Sequence, residues 1–127
     1  MNNLLFSVSI ITALVTLGSC DNCEEEIIPD RYYLIEVLAD PGDGSGTFLP
    51  VESDKYLEFH TDGTITSNGE LCSMGVESDS PSFGNYNQDT NTITTTSWCL
   101  ELSYEMDGDE IILIYQCFEA CRSKFIK

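Results

Sequence analysis

Cys117 and Cys121 stand four residues apart in "CFEAC". Thiols this closely spaced can form a structural bridge, a redox pair or a soft-metal site. A reactive thiol gains acidity from a helix N-terminus or a nearby cation. Arg122 and Lys124 are close by but Glu119 opposes them, so a structural bridge is the preferred reading and a redox or metal sensor the alternative. His60 is the only histidine, and the usual Ser-His-Asp, Cys-His and two-histidine zinc arrangements cannot all be staffed. With 22 acidic residues, carboxylate pairs occur at every spacing, and no glycosidase-like pair stands out. The "DPGDGSG" loop, residues 40–46, alternates Asp40, Asp43 and Ser45 with glycines as cation loops do. Calcium, however, takes about six to eight oxygens, including a bidentate carboxylate late in the loop. Glu52 and Asp54 could fold back, but the spacing is not that of an EF-hand, and a flexible surface connection is expected. The reading is of a protein with no metal, no cofactor and no enzymatic activity.

The compartment is indicated by the cysteines and by the opening residues. Six cysteines in 127 residues are unusual where thiols are kept reduced and usual in exported domains with small cores. Residues 4–17, "LLFSVSIITALVTL", have the length of a signal-peptide core and are too short to span a bilayer comfortably. The segment lacks the usual positive start, since "MNN" carries only the α-amino charge. Residues 17–20, "LGSC", resemble the lipobox of bacterial lipoproteins, in which the cysteine thiol is acylated and the peptide is cut just before it. The resemblance implies a signal peptide over residues 1–19, membrane anchoring through palmitate-type acyl chains on Cys20, and an acidic tether over residues 20–30. "DNCEEE" resembles the acidic patch of surface-exported lipoproteins in some Gram-negative phyla, although an aspartate such as Asp21 means inner-membrane retention in the enteric type of sorting. The expected location is the bacterial cell envelope, anchored at the outer membrane and surface-exposed. The net charge of −17 excludes nucleic acid as a partner.

Setting Cys20 aside for lipid leaves five cysteines, with Cys23 in the tether as the odd one. Cys72, Cys99, Cys117 and Cys121 admit three pairings. Cys72 with Cys99 and Cys117 with Cys121 is preferred. The second pair carries a condition: four steps of extended strand separate Cα atoms by about 13 Å, while a disulfide tolerates about 7 Å. "CFEAC" must therefore turn.

The elements that would position these groups are short strands. "RYYLIEVL" places Tyr33, Ile35 and Val37 on one face and Tyr32, Leu34 and Leu38 on the other. "KYLEFH" sets Leu57 and Phe59 against Tyr56, Glu58 and His60, and Asp62-Gly63 then supplies a hairpin turn into "TITSNG". "LELSYEM" points Leu100, Leu102, Tyr104 and Met106 one way, and Asp107-Gly108 joins it to "EIILIY". With "FGNYN", "TITTTS" and "RSKFIK" the count is seven or eight strands, with no helical period anywhere. The predicted fold is all-β, a small antiparallel up-and-down barrel over residues 31–127 supported by disulfides. Residues 39–54 and 73–82 are expected to be surface loops, and Trp98 is expected beside a disulfide or at the barrel mouth.

"GDGSGTFLPV", "LEFHTDGTITSNGELC" and "CFEACRSKF" together resemble a family of small lipocalin-like lipoproteins of bacterial envelopes, over residues 31–127. The resemblance implies a small antiparallel barrel, and most members have no assigned activity. The first-strand tryptophan common in such families is replaced here by Tyr32 or Tyr33. The copper-resistance type has a closer cysteine pair than "CFEAC", so its metal role does not carry over. The functional expectation is a lipid-anchored binding or surface-interaction module for a small apolar ligand or an envelope protein. Its interior, lined in part by Leu57, Phe59, Leu102, Tyr104 and Leu113, either packs solid or holds that ligand.

Overall fold

The computed structural model of the chain describes residues 29–127. Cys20, Cys23, the lipobox and the acidic run lie outside the described residues. The period-two alternation becomes nine antiparallel strands, β1 (Asp30–Ala39), β2 (Leu49–Pro50), β3 (Tyr56–Phe59), β4 (Thr64–Ser67), β5 (Ser82–Asn87), β6 (Thr92–Thr95), β7 (Glu101–Asp107), β8 (Glu110–Ile114) and β9 (Cys121–Ile126). Each pairs with its neighbour in sequence from β3 to β9, and β1 pairs with both β3 and β9. This closes an eight-stranded up-and-down barrel, as the alternation and hairpin turns predicted. The remaining strand, β2, is a two-residue addition to β1 at Glu36 and Val37, within a stretch that reads from the sequence as loop. Among the described residues every element lies within residues 30–126, and the barrel closes with these strands alone.

Two tight turns form as their dipeptides require: Gly63 (φ +88°) and Gly108 (φ +59°) take the left-handed conformation that glycine adopts without strain. Asp62 Oδ1 fixes the first by accepting from the Thr64 N–H at 3.0 Å and from its hydroxyl at 2.6 Å.

In β1 the structure departs from simple alternation. A bulge at Ile35 separates the pairs Leu34–Phe125 and Glu36–Lys124. One extra residue inverts the facing of every later residue in the strand. Tyr32 and Leu34 therefore point inward before the bulge, and Val37 packs on the same core after it.

The interior is filled. Leu57, Ile65, Leu71, Ile93, Ile111, Leu113 and Phe125 are wholly buried, with Leu34 and Leu102 nearly so. At the end where β1 starts and β9 finishes, the Phe59 ring meets Tyr86, Tyr32 and Tyr104 at centroid separations of 5.0, 5.8 and 5.9 Å and closes the barrel with aromatics. The short hairpins lie at this end. The long connections, β4–β5, β6–β7 and β8–β9, gather at the opposite end, the mouth.

Candidate functional site

Three connections build a cavity of about 580 Å³ at the mouth. Residues 72–75 come from the β4–β5 connection, 98–100 from β6–β7 and 115–117 from β8–β9, with Leu102 as the floor. Cavities of this size hold small ligands.

The wall at residues 72–75 is fixed from three sides. Cys72 is disulfide-bonded to Cys99 with their Cα atoms 5.6 Å apart, which ties the first connection to the second across the β5–β6 hairpin. Tyr115 donates its hydroxyl to the Ser73 carbonyl at 3.2 Å and lies 3.1 Å from Ser123 Oγ, and burial pushes its pKa up to about 12. Lys55, buried behind the wall, donates from Nζ to the carbonyls of Glu70 (2.8 Å), Ser73 (2.8 Å) and Gly75 (3.1 Å). Desolvation lowers the Lys55 pKa to about 8, against the pull of Glu70 and Glu77. Lys55 carries no motif that marks it, yet its inward position is legible in the strand pattern, since residue 55 is in phase with the inward residues 57 and 59.

The rim is apolar and exposed. Leu100 breaks the expected alternation of β7, because its φ of +56° turns its side chain to solvent, where it is 69% exposed, and the strand starts only at Glu101. A left-handed leucine costs about 1–3 kcal/mol. The Thr95 N–H bond to the Leu100 carbonyl (2.7 Å), the Leu100 N–H bond to Ser97 (3.2 Å) and the Cys99 bridge hold it there. Trp98, expected beside a disulfide or at the mouth, is at both and is 77% exposed. Phe118, beyond Cys117, is fully exposed. Cys117 and Cys121 are bonded with Cα atoms 6.1 Å apart, and residues 117–121 make the turn that the bridge demands.

The expected ligand residues separate. Leu57, Phe59, Tyr104 and Leu113 lie in the filled core; Leu102 alone of the five also lines the cavity. Met106, also expected inward, is exposed at the far end of β7. His60, half-buried at the aromatic end, has Nε2 2.9 Å from Thr66 Oγ1, a barrel's length from the mouth cysteines. Among the described residues no group of three or more His, Cys, Asp or Glu is arranged to hold a metal.

In residues 40–46 the carboxylates are occupied by the loop itself. Asp40 Oδ2 accepts from the Gly46 N–H at 2.9 Å, and Oδ1 from Gly42, Asp43 and Gly44 at 2.7, 3.1 and 3.1 Å. These bonds, Gly46 first, hold the Asp40 carboxyl below its ordinary pKa. The loop expected to be flexible is thus tied to one carboxylate, and Asp43 is bonded to Ser45.

The chemistry available at the mouth is apolar contact, aromatic surface, disulfide sulfur and the neutral polar groups of Ser73, Tyr115 and Gln116, without an acidic or basic side chain in the lining. Compared with family models, curated proteins and solved structures, the chain matches none.

Proposed function

We propose that the chain is a lipid-anchored protein of the bacterial cell envelope whose barrel is a binding or surface-interaction module, with the mouth cavity as its site. The observation that carries this reading is the placement of Asp30 and Trp98 at opposite ends of one closed barrel. A lipid on Cys20 would join the barrel at Asp30, the end opposite the mouth, so the point of attachment does not block the cavity. The exposed Trp98, Leu100 and Phe118 support the same reading, since large apolar side chains clustered around a cavity mark sites of interaction. So does the filled core, which leaves the mouth and not the interior as the place for a ligand.

Two measurements test it. Metabolic labelling with a fatty acid should mark the wild type and the Cys23→Ser variant and be lost in Cys20→Ser; label that persists in Cys20→Ser removes the anchor. A neutral apolar fluorophore such as N-phenylnaphthylamine should bind the chain from Asp21 onward, and Trp98→Ala should weaken binding several-fold. No binding at all removes the ligand site.

A further inference from the structure

Resting on that reading of the mouth, we propose that its ligand is a cationic amphiphile. Its apolar body would lie against Met74, Leu102 and the Cys72–Cys99 bridge, and its ammonium or guanidinium group at the rim beside Trp98.

The cavity lining is mainly apolar, and acidic residues outnumber basic ones in the segments around it. Behind residues 73–75, Glu70, Glu77 and Asp79 line a smaller cavity of about 170 Å³ that shares Ser73 and Gly75 with the mouth. Glu70 Oε1 accepts from the Cys72 N–H at 3.1 Å, and the Glu77 carboxylate packs against Gly75. Glu101 is exposed directly after Leu100, and Glu119, exposed within the turn between Cys117 and Cys121, has its carboxylate beside Gly42 of the neighbouring loop. Against these five carboxylates stand two positive groups, Lys55, which lines the same small cavity and faces Glu70 and Glu77, and Arg122 on β9. The field at the opening is therefore negative, and a low-dielectric apolar wall strengthens it.

An amphiphile matches this pattern. A purely apolar molecule fills the cavity but gains nothing from the carboxylates, and an anion is repelled by them. An apolar body joined to a positive head uses both, with the exposed indole face of Trp98 available for cation–π contact. A second copy of the chain is disfavoured as occupant because each carries −17.

Trp98 is the sole tryptophan, so tryptophan emission, excited selectively over the six tyrosines, reports on the site alone. The chain from Asp21 onward is titrated with dodecyltrimethylammonium, dodecyl maltoside and dodecyl sulfate, each below its micelle concentration, with circular dichroism checking that the barrel stays folded. The cationic amphiphile should shift Trp98 emission to the blue and bind about tenfold or more tighter than the neutral one at low salt, the ratio shrinking at about 0.5 M salt. Replacing Glu77, Glu101 and Glu119 by Gln should reduce the ratio and leave the neutral affinity unchanged. Equal affinity for the cationic and neutral compounds, or tightest binding of the anionic one, overturns the charge inference and leaves the site intact. No response of Trp98 to any of the three overturns the site itself.

Discussion

Lys55 Nζ lies 2.8 Å from the carbonyl oxygen of Ser73, so an ammonium buried beneath the barrel mouth holds one wall of the cavity from behind. The same ammonium bonds the carbonyls of Glu70 and Gly75. Packing around it is close: a methyl group on Gly69 would sit 2.9 Å from Lys55 Cδ. The wall is thus rigid without regular secondary structure.

Lys55→Met should therefore cost about 3 kcal/mol of unfolding free energy in a urea titration, because three carbonyls lose a charged donor. Amides of residues 72–75 should exchange faster with solvent while those of β8 and β9 keep their relative protection. A loss below about 0.5 kcal/mol would mean that water replaces the ammonium freely.

The same residue sets a pH dependence. Burial lowers its pKa from 10.5 to about 8, below that of the unfolded chain. Below pH 8 both states are protonated and the cost of burying the charge is fully present. As pH rises through 8 the folded state sheds the proton first, so stability should rise toward pH 10, by at most on the order of 3 kcal/mol. Above about pH 10 the tyrosines, Tyr115 foremost, oppose the gain. Unfolding free energies between pH 7 and 10 check this. A slope that persists in Lys55→Met would assign it to another group.

Much of this architecture is legible from residue alternation. Leu57 and Phe59 face inward as read, Gly63 and Gly108 turn as read, and both favoured cysteine pairs are bonded. What escaped depends on single backbone events or on distant segments meeting. The Ile35 bulge inverts the facing of Val37, and only the register against β9 reveals it. The φ of Leu100 turns outward a side chain whose spacing says inward. The cavity needs residues 72, 98 and 116 together, and nothing local in the chain records that meeting.

The occupied carboxylate of Asp40 predicts indifference to calcium. Adding millimolar calcium should leave the melting temperature unchanged, whereas Asp40→Ala should speed amide exchange at Gly42, Gly44 and Gly46. Gly46→Ala should also destabilise the loop, because the new methyl would sit 2.8 Å from Asp40 Cα. Asp40's contribution is present above the ordinary carboxylate pKa of 3.8 and should fade only as pH falls through its depressed value. A rise of several degrees with calcium would restore the cation reading.

The two bridges should differ in what they contribute. Chain entropy gives about 3.5 kcal/mol for the 27-residue separation of Cys72 and Cys99 and about 2 kcal/mol for the four-residue separation of Cys117 and Cys121. Paired Cys→Ser variants compared by urea unfolding measure the difference. In the folded wild type neither bridge should open under mild thiol. Selective reduction of Cys117–Cys121 in the intact barrel would favour the sensor.

The central claim, that ligand binds at the mouth and not inside the barrel, is tested most directly by residue-resolved amide spectra. The isotope-labelled chain from Asp21 onward is titrated with N-phenylnaphthylamine. The shifts should concentrate in residues 72–75, 98–102 and 115–117, while amides around Leu57, Phe59, Tyr104 and Leu113 stay in place. Shifts centred on those four residues would place the ligand in the interior and contradict the claim, as would shifts confined to the hairpins at the opposite end.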